Sequence, residues 1–164
     1  MGRYMNLHVK QLECRKLTID WKQQLTNFLR DLEKVEDSKY FRPHPFTDEA
    51  LDKLVQYTGR DIYYILVEED IVLGYGLLRG WDEGYEIPSL GIAIHPSARS
   101  AGLGIMFMYF LHAAARRNGA AQVRLRVRSD NIKAIELYKK IGYKFKTKES
   151  EYLVGIFDLL KHGY

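Results

Sequence analysis

Apolar residues recur along the chain at two spacings, and their alternation sketches the elements. Leu7 to Leu12 reads as a first strand. From Thr18 to about Val35, Trp21, Leu25, Phe28, Leu29 and Leu32 fall at helical intervals. Two prolines keep Tyr40 to Phe46 irregular. Thr47-Asp48-Glu49-Ala50 then opens a second helix, with a capping hydroxyl and acids in its first turn. Ile62 to Glu68 and Ile71 to Arg79 form a hairpin about Glu69-Asp70, and Ser89 to Ile94 is a further strand. A long helix runs from Gly102 to about Arg117 and ends at Asn118-Gly119. The remainder reads as a strand (Ala121 to Arg128), a helix (Asn131 to Ile141, closed by Gly142) and two strands (Tyr143 to Thr147, Tyr152 to Leu160). This is an α/β order with a mixed sheet. Neither repeats nor linker-like stretches interrupt it, so residues 1–164 read as a single domain.

Composition narrows the function classes. Apolar residues make up 46% and charged residues 28%, enough for a real core. No run approaches the ~20 apolar residues of a membrane span, and Met1 to Asn6 lacks the apolar stretch of a signal peptide. A cytoplasmic protein without membrane contact is expected. Cys14 is the lone cysteine, which excludes an internal disulfide and a cysteine-rich zinc site and reads as a bystander. No metal is expected. The net charge of +4 suits a polyanionic small ligand. Arg124-Leu125-Arg126-Val127-Arg128 alternates as a strand with one solvated face, and no nucleic-acid-binding module accompanies it.

Two stretches carry chemistry. In Ile92-Ala93-Ile94-His95-Pro96-Ser97-Ala98-Arg99-Ser100-Ala101-Gly102-Leu103-Gly104-Ile105 a strand ends, a short loop follows and a helix begins. Unpaired N–H groups at a helix N-terminus can donate hydrogen bonds to a pyrophosphate. Gly102 and Gly104 permit close approach to the backbone, and Arg99 adds charge. An ordinary glycine turn has the same local pattern; neither a Rossmann nor a Walker loop is present. In the second stretch, Asn131 stands where a strand gives way to a helix, and Tyr138 lies two turns on, nearly on the same face. Both can line one groove, although a helix aromatic packed on the sheet has the same spacing.

Together the motifs resemble the GNAT superfamily of N-acetyltransferases. Arg99-x-x-Gly102-x-Gly104 is similar to that family's R/Q-x-x-G-x-G/A signature, and Asn131 through Tyr143 to its N-x-x-A-x-x-x-Y-x-x-x-G-F/Y segment, which includes Ala134 and Tyr138. The element order agrees from Leu7 to Leu160; the first third agrees through order only. The resemblance implies a mostly antiparallel central sheet, helices on both faces, and splayed fourth and fifth strands. It implies acetyl-CoA as cosubstrate, its pantetheine arm beside Ile92 and Ile94 and its pyrophosphate on the amides of Arg99, Ser100, Ala101, Gly102, Leu103 and Gly104. Asn131 would touch the same molecule. Lys139 and Lys140 read as solvated helix charges, with contact to the adenosine phosphates as the alternative.

The resemblance further implies direct attack of an amine on the thioester. A backbone N–H near Ala93 or Ile94 would stabilise the oxyanion, and Tyr138 matches the family's acid. Glu86 and Glu83 are the candidate bases, with solvated loop acids as the alternative reading, and His95 is ranked below them. Phe41 and Arg42, together with Trp81 and Tyr85, would wall the acceptor; Arg42 hints at an anionic group on it. The expected acceptor is a small-molecule amine, with a protein N-terminus or lysine as the rival and a non-catalytic acetyl-CoA sensor as the reading of another class. A homodimer is possible through exposed sheet edges.

Overall fold

A computed structural model describes residues 9–163. Seven strands form one sheet in the order β1-β2-β3-β4-β5-β7-β6: β1 (Leu12–Lys16), β2 (Ile62–Glu68), β3 (Ile71–Arg79), β4 (Ser89–Ile94), β5 (Gln122–Arg128), β6 (Lys144–Glu149) and β7 (Tyr152–Asp158). Four helices complete it: α1 (Lys22–Lys34), α2 (Asp48–Val55), α3 (Leu103–Arg117) and α4 (Ile132–Ile141). Every strand pair is antiparallel except β4 with β5. This is the mostly antiparallel mixed sheet with helices on both faces that the sequence implied.

Most boundaries fall within two residues of the expected ones; β1 and the start of the first helix are the exceptions. β1 lies at Leu12–Lys16, not at Leu7 to Leu12, paired with Tyr64–Glu68. Leu7 falls outside the described residues. β1 is an edge strand with four of its five residues exposed, so no alternation marks it. The first helix begins later than Thr18, as a 3-10 turn at Ile19–Trp21 that leads into α1. A second such turn occupies Pro96–Ala98, inside the loop between β4 and α3.

Strand alternation divides the apolar side chains into two cores. Leu25, Phe28, Leu29 and Leu32 of α1 and Leu51 of α2 pack on Ile65, Tyr75 and Leu77. On the other face Phe107, Met108 and Leu111 of α3 pack on Leu66, Leu78 and Leu125. α3 lies close on β3: a Cβ on Gly76 would sit 2.8 Å from both Leu111 and Phe107, so a larger residue there would force these side chains to shift. The core of this face continues under α4. There Tyr143 meets the fully buried His112 of α3, with its hydroxyl 2.8 Å from Nε2. The same hydroxyl lies 3.8 Å from the sulfur of Met108. Phe157 stacks on the imidazole at 4.2 Å.

Burial among aromatic and apolar groups pushes the His112 pKa down from 6.5 to about 4, with His162 adding to the shift. The folded protein therefore binds a proton here less readily than the unfolded chain. Stability from this group is present above pH 6.5 and is lost as pH falls through the window down to about 4. The shift corresponds to about 3 kcal/mol. Denaturant titrations at pH 7 and pH 4 should show wild type losing about 3 kcal/mol more than His112→Gln. Equal losses in the two proteins would mean that His112 titrates normally.

Candidate active site

The parallel ladder between β4 and β5 consists of one pair, Ser89 with Arg124, next to which the Arg124 N–H donates to the Pro88 carbonyl at 3.0 Å. Beyond it the strands part. His95 donates its N–H to Leu73 at 2.8 Å, and the register sets Ala93 against Tyr75 and Gly91 against Leu77. Antiparallel pairs alternate between bonded and non-bonded, so odd-numbered residues of β4 bond to β3 and Leu90, Ile92 and Ile94 turn their peptide groups towards β5. On β5, Leu159 donates to Ala121 at 2.9 Å, which sets the odd residues against β7 and turns Arg126 towards β4. Among the described residues, both peptide groups of Ile92 and of Arg126, with the N–H of Ile94, thus lack a strand partner. The gap is a slot of about 650 Å³.

At the open end of the slot lies the N-terminus of α3. Ser100 and Gly102 both adopt left-handed backbone, with φ of 62° and 78°, so the chain turns tightly there. No side chain caps the helix, and its first N–H groups point out of it without intrahelical partners. Arg99 folds back, its Nε and Nη2 each donating to the Ile94 carbonyl at 3.1 Å, which ties the loop to the end of β4. A Cβ on Gly104 would meet only Ile94, at an ordinary 3.7 Å. The fold itself therefore does not require glycine at that position.

Most of the expected cosubstrate-binding residues line this one slot. Ile92, Ala93 and Ile94 come from β4; Arg99, Ser100, Gly102, Leu103 and Gly104 come from the loop and α3. Ala101 belongs to the same turn. Asn131 caps α4, with its side-chain oxygen accepting from the Ala134 N–H at 3.4 Å, and both residues line the slot with Tyr138. Burial pushes the Tyr138 phenol up to about 12, so it stays protonated. Among the described residues its hydroxyl has no hydrogen-bond partner, which leaves a donor available in the slot wall.

Several expectations change. The Ala93 N–H faces β3, so the slot-facing amides are those of Ile92 and Ile94. Lys139 and Lys140 lie in the last turn of α4, and Lys133, in its first turn, is the lysine that lines the slot. Leu125, Val127, Met108 and Leu137 also line it and were not singled out in the sequence. The Ala134–Leu137–Tyr138 spacing of one helix face carried a signal for Leu137.

The acceptor-side residues separate. Phe41 lines the slot and packs edge-on against Tyr75 at 5.8 Å. Its segment is strapped to β3. Arg79 donates to the Pro43 carbonyl at 2.7 Å. His44 donates from Nδ1 to the Pro45 carbonyl at 2.8 Å, and burial lowers its pKa, so its Nε2 accepts from Tyr75 at 2.9 Å. Arg42 is engaged elsewhere, 3.6 Å from Glu33 and stacked over Phe46. Trp81 is buried in the α3-side core and lines neither the slot nor the cavity that holds Glu83, although its edge borders a further cavity with Tyr85 and Glu86. Glu83, Tyr85 and Glu86 line a second cavity of about 780 Å³, with Arg79, Ser89 and Arg124. Asp61, which the sequence reading missed, holds this loop: its Oδ1 accepts from the N–H groups of Gly80 and Trp81 at 2.9 and 3.0 Å. His95 bonds to Ser97 at 2.7 Å and Asp31 at 3.1 Å, which ties up both ring nitrogens. Burial raises the pKa of the half-buried Cys14, which disfavours its thiolate.

Among the described residues no helix is long and apolar enough to cross a membrane. The GNAT domain of S. lividans PAT superposes on the chain with a TM-score of 0.79 at 15% identity, over 90% of each chain. The PaiA N-acetyltransferase of Thermoplasma acidophilum, solved in complex with coenzyme A, gives 0.74 at 16% identity over 90% of this chain and 99% of that one. The ribosomal-protein-S18-alanine N-acetyltransferase of Escherichia coli gives 0.69 at 15%, over 91% and 94%. At these identities the likeness is one of fold. The family model of the acetyltransferase (GNAT) family matches residues 26–143, a span that contains the slot, the uncapped helix and Tyr138, and the chain belongs to that family.

Proposed function

We propose that the protein transfers the acetyl group of acetyl-CoA to a primary amine of a small molecule. The observation that carries the reading is the slot, with its unpaired strand edges, an uncapped helix N-terminus at one end and an unpartnered phenol in its wall. An extended amide-bearing arm pairs with Ile92 and Arg126 as a strand would, and a pyrophosphate takes the amides of Leu103 and Gly104. Acetyl-CoA supplies the thioester. The amine nitrogen attacks its carbonyl carbon, the C–N bond forms, the C–S bond breaks and the thiolate leaves.

The chain's own groups handle the charge and the protons. The Ile92 or Ile94 N–H donates to the developing oxyanion. An alkylamine of pKa ~10.4 is neutral about once in a few thousand at pH 7, at a cost of roughly 4–5 kcal/mol. Glu83 and Glu86 line the cavity that adjoins the closed end of the slot, and in this reading they take up the amine's proton directly or through water. Tyr138 donates to the leaving sulfur. With its phenol near 12, full transfer to a thiolate of pKa ~8.5 is uphill by about 5 kcal/mol. Its role is therefore a hydrogen bond that strengthens as charge grows on sulfur, with the proton passing late. The second cavity lies within the size range of small-molecule sites, which favours a small acceptor over a protein.

Thiol release from acetyl-CoA over amino sugars, polyamines, amino acids and peptides tests the reaction. Tyr138→Phe should lower kcat about a hundredfold while leaving acetyl-CoA affinity within about threefold. Up to pH 10 the rate profile should show no descending limb from Tyr138, because the phenol stays protonated there. Unchanged turnover in Tyr138→Phe would remove it from the mechanism. Gly104→Val should keep the wild-type Tm within a few degrees and weaken acetyl-CoA binding by about tenfold or more, because the fold has room for the side chain and the ligand does not. Wild-type affinity in that variant would move the pyrophosphate elsewhere.

A further inference from the structure

The second cavity lies on the α1/α2 face of the sheet, over the part of β5 and β7 that neither α1 nor α2 is seen to pack on. It adjoins the closed end of the slot: Ser89 and Arg124 line the cavity, while Leu90 and Arg126 line the slot. Its walls carry both signs, with Glu83, Glu86 and Glu149 against Arg79, Arg124 and Lys146. Arg79 is already committed to the Pro43 carbonyl. Arg124 is not so held: its contact with Glu149 is a long 3.6 Å, and its Nε is buried without a hydrogen-bond partner among the described residues. The rest of its partly exposed guanidinium lines the cavity, where it can donate to an oxyanion held there. Lys146 points to the same chemistry. The register between β6 and β7 shifts between Phe145 and Thr147, which makes Lys146 the extra residue of a bulge. Strict alternation would send Lys146 and Thr147 to opposite faces, yet both line the cavity.

We infer that the acceptor is a small amine carrying an anionic group, a carboxylate or a phosphate ester, which Arg124 and Lys146 bind while its ammonium lies towards Glu83 and Glu86. This rests on the acetyl-transfer reading and specifies its substrate. A planar guanidinium fork suits either oxyanion, and an amine whose only charges are positive would leave Arg124 unsatisfied.

Matched acceptors test it: 4-aminobutyrate against butylamine for the carboxylate, glucosamine 6-phosphate against glucosamine for the phosphate, with spermidine as a purely cationic acceptor. The expected result is a kcat/KM at least about tenfold higher for the anionic member of one pair, and the pair that responds identifies the anion. Arg124→Gln should collapse that ratio towards one. Glu149→Gln, which removes the carboxylate competing for Arg124, should raise it, and this variant keeps the inference testable if Arg124→Gln folds poorly. Spermidine, butylamine or glucosamine turning over as well as the anionic members would overturn the inference and leave acetyl transfer standing. If no amine turns over, calorimetric titration of the coenzyme A-saturated protein with the same pairs decides it: tighter binding of an anionic member supports the site, and equal or absent binding overturns it. Failure to bind coenzyme A at all would instead sink the acetyl-transfer reading.

Discussion

Backbone N–H and C=O groups inside a protein need partners, and the parting of β4 from β5 leaves several without one. A single ladder pair at Ser89 and Arg124 holds the strands together at one end. From there the peptide groups of Ile92 and Arg126 face each other across a space too wide to bridge. Sheets normally show such groups only at their outer edges, so two inner edges in one sheet form a ready template for an extended ligand with amides of its own. The slot and its polarity both follow from that interruption.

The surrounding structure keeps the gap open and gives it ends. Leu125 and Val127 are buried beneath the slot, so the strands are anchored to the α3-side core and are not free to close. Arg99 on the Ile94 carbonyl fixes the loop that leads into α3, which brings the positive end of that helix to the mouth. On the opposite face, Tyr75, His44 and Arg79 strap the Phe41 segment beside the slot, and Asp61 holds the loop that carries Glu83 and Glu86. The cost is borne in part by two solid cores, one on each face, which do not depend on the slot being filled.

What was legible in the sequence was what is local. The loop from Arg99 to Gly104 and the helix from Asn131 to Gly142 each hold their meaning within a dozen residues, so glycine placement and helical spacing identified them. The acceptor side is different. Trp81 and Tyr85 are near neighbours in sequence, yet one is buried in the core while the other lines a cavity, because the loop between them is shaped by Asp61, some twenty residues earlier. The arginines of β5 do share one face of the strand, but Arg124 and Arg128 are partly buried there and only Arg126 is exposed. Only the sheet order shows that this face forms part of a cavity. The bulge at Lys146 and the edge strand at Leu12–Lys16 leave no periodic trace, since a bulge breaks alternation and an exposed edge does not require it.

Amide hydrogen exchange followed by NMR, with and without saturating acetyl-CoA, tests the central claim most directly. The account predicts that the amides of Ile92, Ile94 and Arg126, and those of the first turn of α3, gain protection on binding. Gly91 and Ala93, already bonded to β3, should be protected in both states. Saturation by acetyl-CoA with exchange at Ile92 and Arg126 unchanged, or no binding of acetyl-CoA at all, would contradict it.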